Sequence, residues 1–186
     1  ADRMGVAATL TAEDSGGGSF DEVLPNLYRK AQRANPTHPI PIACEAATLE
    51  YRGQADTFDA LGTRDAQGLY DFFIGRGLID LPTPAPVPAA PGPTPFEATE
   101  VLRTDRPGLL AYRVELGTRV KAGDVVADLI TMDGPEAFIA RIPIRAGTDG
   151  FILSRATAKF AVAGSAVAKI VGDKILPSRA GGYLLE

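Results

Sequence analysis

The order of patterns along this chain predicts an α/β segment followed by an all-β module. Three observations carry that prediction. Residues 6 to 80 alternate short β-like runs with longer stretches of helical period. Residues 82 to 95 carry proline at every second or third position. From Phe96 onward, glycines recur between short aliphatic and β-branched runs, the punctuation of a small β structure.

The bulk numbers fit this plan. A length of 186 residues allows one domain or two small ones, and 45% hydrophobic content is enough for a core. A net charge of -4 excludes the basic footprint that nucleic-acid binding needs. No apolar run approaches the roughly 18 to 20 residues of a membrane span, so no membrane partner is expected. One cysteine excludes an internal disulfide and suits a reducing compartment, so a cytoplasmic location is expected. The first residues, Ala-Asp-Arg-Met, lack the charged and apolar regions of a signal peptide. The chain starts at Ala1 on structured-looking sequence, which reads as a piece or processed product of a longer protein.

Taken in order, Val6 to Ala12 alternate weakly and predict a short strand. Ser15-Gly-Gly-Gly-Ser19 lacks the spacing and the lysine of a phosphate-binding loop and reads as a loop. Ser19 and Glu22 have capping-box spacing, and Val23, Leu24, Leu27, Tyr28 and Ala31 then recur at helical spacing. Pro25 conflicts with a helix capped at Ser19, so a kink or a later start is expected. The helix should end by Asn35-Pro36. A second helix is expected from an N-cap at Thr63, with Leu69, Phe72 and Phe73 on its apolar face and Gly75 and Gly77 stopping it.

Between the helices, Pro39 and Pro41 bias their predecessors toward extended backbone. A strand over residues 46 to 51 would set Ala47, Leu49 and Tyr51 on one face and Ala46, Thr48 and Glu50 on the other. Glu50 would then stand near the carboxyl end of a strand, the edge at which open α/β sheets bind ligands. By pattern alone, a solvated glutamate at a strand end is the commoner reading. Glu13, in Thr11-Ala-Glu13, is a weaker rival because no Gly-Gln-x-Asp follows it. His38 stands alone in a proline-flanked loop, which makes it a poor metal ligand. Cys44 has no adjacent cation in sequence to activate it and reads as a small buried residue.

The proline-rich stretch favours polyproline II and reads as a spacer. Beyond it, strands are expected over residues 101–103, 108–114, 125–130, 137–144, 151–154 and 167–171, with a turn at Gly117 to Gly123. The boundaries are then 1–81 for the α/β segment, 82–95 for the linker, 96–176 for the β module and 177–186 for a tail. Arg145, Arg155 and Arg179 are candidates to meet an anionic substrate, with solvated charge the commoner explanation.

Two resemblances sharpen this reading. Leu116-Gly-Thr-Arg-Val-Lys-Ala-Gly-Asp124, Asp149-Gly-Phe-Ile152 and Val162-Ala-Gly-Ser165 resemble the barrel-sandwich module of lipoyl and biotinyl domains. A carrier presents its modifiable lysine at a hairpin tip. Lys121 instead lies inside the turn that the module itself uses, and Met132-Asp-Gly-Pro135 has no lysine. The module therefore reads as structural, and the carrier alternative predicts a mass increase on Lys121.

Thr48-Leu-Glu-Tyr-Arg-Gly-Gln-Ala-Asp56 resembles the T-x-E-x-x-G-Q-x-D signature of the succinylglutamate desuccinylase/aspartoacylase family. The resemblance implies a carboxypeptidase-like α/β domain, a C-terminal β domain and hydrolysis of an N-acyl amide, such as an N-acyl amino acid. It implies that Glu50 is the general base or acid acting on a zinc-bound water. Arg52 is the nearest candidate to clamp a substrate carboxylate. The family's H-x-x-E and later His zinc ligands have no counterpart here, where one His occurs, so zinc ligands are expected upstream of this chain. The expected partners are the small-molecule substrate and the missing N-terminal segment or chain, with a homo-oligomer left open. The alternative is a non-catalytic binding or assembly module built on the β domain.

Overall fold

A computed structural model describes residues 3–12, 19–85 and 92–179. Glu13, the glycines at 16–18, the centre of the proline-rich stretch and the tail from 180 lie outside the described residues. The described part is a small α/β fold of two helices, a two-stranded parallel pairing and two antiparallel sheets.

The first strand, β1 (Leu10–Thr11), is two residues long and pairs in parallel with β2 (Thr94–Pro95), Leu10 opposite Thr94. This pairing joins the amino-terminal segment to the end of the proline-rich stretch, and Arg3 adds a hydrogen bond to the Pro84 carbonyl near its start. Helix α1 runs Phe20–Ala34 and α2 runs Asp59–Gly75. Ser19 is the N-cap of α1, but its side chain makes no capping hydrogen bond, so the expected capping box does not close. Pro25 lies within the helix and is buried, without ending it. Helix α2 starts four residues before the expected Thr63, after an extended Phe58. It ends as expected, with Gly77 at φ 72 just beyond the Arg76 C-cap.

Gly68 lets α2 cross the amino-terminal segment closely. A Cβ there would stand 2.7 Å from the Met4 carbonyl oxygen. Only Pro25, Gly68 and Ile74 are buried in residues 3–85 among the described residues. Helix α1 turns Phe20 (96% exposed), Val23, Leu24 and Leu27 outward. Of the apolar stripe read from sequence, Tyr28 and Ala31 are half-buried while Val23, Leu24 and Leu27 stay exposed, and Phe20 extends the exposed part at i, i+3, i+4 and i+7.

No strand forms over residues 46–51, and this corrects the sequence expectation. A strand requires a hydrogen-bonded neighbour, and among the described residues this segment has none. The chain from Pro39 to Thr57 crosses as irregular, mostly exposed backbone.

The β module begins with a 3-10 turn, Phe96–Ala98. Its strands are β3 (Thr99–Arg103), β4 (Gly108–Tyr112), β5 (Arg119–Val120), β6 (Val125–Ile130), β7 (Arg141–Arg145), β8 (Gly150–Arg155), β9 (Phe160–Ala161) and β10 (Ala166–Gly172). They form two four-stranded antiparallel sheets, ordered β3-β10-β8-β5 and β7-β6-β4-β9. Strand β7 starts at Arg141 rather than at the expected Ala137. Phe138 takes φ 62 and its N–H bonds the Thr131 carbonyl at 2.7 Å, and this left-handed backbone cannot extend a strand.

The core draws on both sheets. Leu102, Val120, Ile152, Val167 and Ile170 come from one, and Leu110, Val126, Leu129 and Ala161 from the other. Tyr112 locks the two together. Its hydroxyl donates to the Val167 carbonyl at 2.7 Å and accepts from the Ala156 N–H at 2.9 Å. Arg155 and Lys159 lie over its ring at 5.1 and 5.0 Å. Asp128 is the buried charge of the module. It accepts from Arg113 Nε at 2.8 Å and from Arg141 at 3.3 Å, so two half-exposed guanidinium groups neutralise it.

Tyr112→Phe keeps the ring and removes both hydroxyl bonds, while the Ala156 N–H keeps its own bond to the Val167 carbonyl at 2.8 Å. The expected loss is about 0.5–1.5 kcal/mol, read as a lower urea midpoint at unchanged slope. An unchanged midpoint would show that the hydroxyl does not couple the sheets.

Candidate functional site

The chemistry-bearing motif, Thr48 to Asp56, lies in the irregular crossing between α1 and α2. Helix side chains and its own turn take the place of a strand ladder. Upstream, Gln32 of α1 donates to the Ile40 carbonyl at 2.5 Å. Glu45 pairs with Arg76 at the end of α2 at 2.9 Å. Within the motif, Thr48 Oγ1 donates to Asp21 Oδ2 in the first turn of α1 at 2.8 Å. Arg52 reaches Asp65 of α2 with two parallel bonds, Nε to Oδ2 at 2.9 Å and Nη2 to Oδ1 at 2.7 Å. Its turn closes reciprocally. The Gly53 N–H donates to Asp56 Oδ2 at 2.9 Å and the Asp56 N–H to the Gly53 carbonyl at 3.0 Å.

Glu50 sits midway between the two tethered residues. It is exposed, and among the described residues no hydrogen bond or ion pair engages its carboxylate. Arg52 has φ 41, so the strand alternation that would have decided its face breaks at this residue. Its Nε and Nη2 are committed to Asp65, and no contact among the described residues takes up Nη1.

The electrostatics follow from these contacts. The hydrogen bond from Thr48 holds the Asp21 carboxyl below its ordinary range. The Arg52 hydrogen bonds do the same for Asp65, and Asp65 in turn raises the Arg52 guanidinium. Both carboxylates are thus ionised in ordinary buffer, Asp21 facing a neutral hydroxyl and Asp65 a charged guanidinium.

The other sequence candidates do not converge on Glu50. His38 is exposed and shares a hydrogen bond with Thr37 at 3.1 Å. Cys44 is half-buried rather than buried. Arg145 donates to the Gly123 carbonyl at 2.8 Å. Arg155 binds the Val114 carbonyl at 2.9 Å and Glu115 at 3.1 Å. Arg179 lines a shallow cleft of about 530 Å³ on the β module, together with Glu100, Arg103 and Gly147. Glu100 there accepts from the Gly147 N–H, and burial nonetheless pushes its carboxyl up. Lys121 is exposed on the β5–β6 turn, where its N–H bonds Asp124 Oδ2 at 2.8 Å.

Sequence reading missed Asp21 and Asp65. Neither has a local signal, because each finds its partner 27 and 13 residues away. Asp56 was in view as the last motif residue, and its turn-closing role needed coordinates.

Among the described residues no group of three or more His, Cys, Asp or Glu side chains is arranged to hold a metal ion. Zinc therefore does not fit a site made by these residues alone. No helix among them is long and apolar enough to cross a membrane.

No family model and no curated protein matches this chain. Solved structures do match it in fold. A Shewanella amazonensis protein named for the succinylglutamate desuccinylase/aspartoacylase family superposes with a TM-score of 0.81 at 20% identity, over 92% of this chain and 47% of that one. A Shewanella frigidimarina protein named for the same family gives 0.78 at 19%, over 92% and 46%. The ectoine utilization protein EutE of Ruegeria pomeroyi gives 0.62 at 17%, over 93% and 49%. The likeness at these identities is one of fold, and it spans both helices and the β module together. The chain spans about half the length of the solved structures it matches.

The Arg52–Asp65 pair makes a pH prediction. Asp65's folded pKa lies below its ordinary 3.8. The tether's contribution to stability is therefore fully present above that value and is lost as pH falls through the lowered one, with Arg52 charged throughout. A carboxyl carbon NMR titration should place the Asp65 midpoint below 3.8, and Arg52→Gln should bring it back to the ordinary range. A wild-type midpoint at or above 3.8 would break the assignment.

Proposed function

We propose that this chain is the C-terminal portion of a deacylase that hydrolyses the amide of an N-acyl amino acid-like substrate. One observation carries the reading. On a chain with the fold of proteins named for the succinylglutamate desuccinylase/aspartoacylase family, Glu50 is an unpartnered, exposed carboxylate between two tethered motif residues. A carboxylate so presented takes a proton from the attacking water and delivers it to the departing amine. Among the described residues no internal partner competes for the proton. Arg52 contributes its uncommitted Nη1 to a substrate carboxylate while Asp65 holds the rest of its guanidinium.

Zinc belongs to the proposal as a cofactor whose ligands lie outside the described residues. In the same reading, residues 1–81 are part of a zinc-hydrolase-like α/β domain, and residues 96–176 are a barrel-sandwich module of the lipoyl/biotinyl type. The partner is the remainder of that fold, as a segment or a separate chain. The outward stripe of Phe20, Val23, Leu24 and Leu27, with the unpaired run 46–51, is the surface it would cover.

The same stripe supports a second reading. The buried core lies in the β module, so the α/β segment can serve as a binding face in a non-catalytic assembly module.

Glu50→Gln keeps size and removes basicity. Assayed on the protein as its cells make it, with zinc and N-acyl amino acids, it should lower turnover by about 100-fold or more, the lower bound for a lost general base. Near-normal turnover would sink the deacylase reading. A wild-type protein that neither binds zinc nor hydrolyses any N-acyl amino acid would favour the assembly module.

A further inference from the structure

We propose that Asp21 and Asp65 are positioning residues that hold Glu50 in place, each through a motif residue two positions away. The inference rests on the catalytic reading of Glu50 and adds to it two residues outside the motif.

The geometry is symmetric about Glu50. Thr48 is fastened to α1 by one hydrogen bond at 2.8 Å, and Arg52 to α2 by two at 2.9 and 2.7 Å. The run between them has no pairing strand among the described residues, so no ladder bonds fix it. The side-chain tethers take over that work. Arg52 also holds a backbone conformation that a long side chain seldom adopts, at φ 41. Such a conformation persists only where surroundings over-determine it. Here the bidentate bond to Asp65 on one side and the closed Gly53–Asp56 turn on the other do so.

The tethers also differ in kind. Asp21 accepts from a neutral hydroxyl, whereas Asp65 meets a guanidinium fork, whose planar match to a carboxylate fixes direction as well as distance. Asp65 is thus the stronger of the two positioning residues. General-base catalysis depends on such placement, because misplacing a reacting group by about 1 Å can cost about 100-fold in rate.

The test has two arms. Backbone order parameters of residues 48–53, measured by nitrogen relaxation, should be near the rigid value of about 0.85 in the wild type and fall below about 0.6 in Asp65→Asn. Asp65→Glu, which keeps an acceptor fork, should recover most of the order, and signals from the Tyr112 region should not move in either variant. In the zinc-containing protein as its cells make it, Asp65→Asn should lower kcat on an N-acyl amino acid by about 100-fold and also raise KM, because the Arg52 clamp loses its anchor. Asp65→Glu should restore kcat. The smaller change belongs to Asp21→Asn.

A loop that stays rigid in Asp65→Asn overturns the tether, and a loosened loop with unchanged kcat overturns the positioning role. Full turnover by Glu50→Gln instead removes the catalytic reading of Glu50, and the relaxation arm still decides the tether by itself.

Discussion

Removal of aliphatic side chains from water between the two sheets of the β module is the interaction on which the rest of the described structure depends. Val126, Leu129, Ile152, Val167 and Ile170 are almost fully buried there, and burying such a side chain contributes roughly 1.5–3 kcal/mol. In residues 3–85, Ile74 is the one buried hydrophobic side chain among the described residues. The described helices therefore contribute little buried apolar surface of their own. The β1–β2 pairing and the Arg3–Pro84 hydrogen bond fasten the amino-terminal segment to the end and the start of the proline-rich stretch.

The β module pairs its buried charge and its core tyrosine, while the buried Thr99 hydroxyl has no partner among the described residues. Asp128 would be costly alone in the interior, and two arginines with half-exposed heads reach in to neutralise it. Tyr112 adds its hydroxyl to two backbone groups, the Val167 carbonyl and the Ala156 N–H, that also bond each other at 2.8 Å. Gly150 allows β8 and β10 to approach so closely that a Cβ would stand 2.2 Å from the Val171 carbonyl oxygen. Close packing of the two sheets results.

In the irregular crossing between α1 and α2 the carboxylates do what main-chain pairing does in a sheet. Asp21, Asp56 and Asp65 each accept a hydrogen bond from the Thr48–Gly53 run. Among the described residues, Glu50 is the acidic group of this crossing left with no donor. An acidic group that its surroundings do not use is the one available for a proton from outside, and this contrast between used and unused carboxylates singles it out. The deacylase proposal and the positioning roles both grow from that contrast. The half-length coverage of the matched solved structures and the outward stripe of α1 are consistent with a fold in which further residues complete the α/β part.

The sequence by itself determined which segments are helical, most of the β module and the motif that contains Glu50. These are local properties. A helical stripe, a turn glycine such as Gly77 and the β run Val125–Ile130 each express a period or a backbone freedom readable within a few residues. Tertiary structure decided the rest. Residues 46–51 carry a strand's alternation, but pairing is supplied by a neighbour, and without one the run crosses as irregular chain. Phe138 gave no sign of its left-handed turn, which depends on the Thr131 carbonyl across the hairpin. Asp65 is unremarkable in sequence and becomes the anchor of Arg52 only because α2 brings it within 2.7 Å. Local pattern sets what a segment can become. Contacts between residues far apart in the chain select what it is, because their hydrogen bonds and buried surface exist only after the chain has folded.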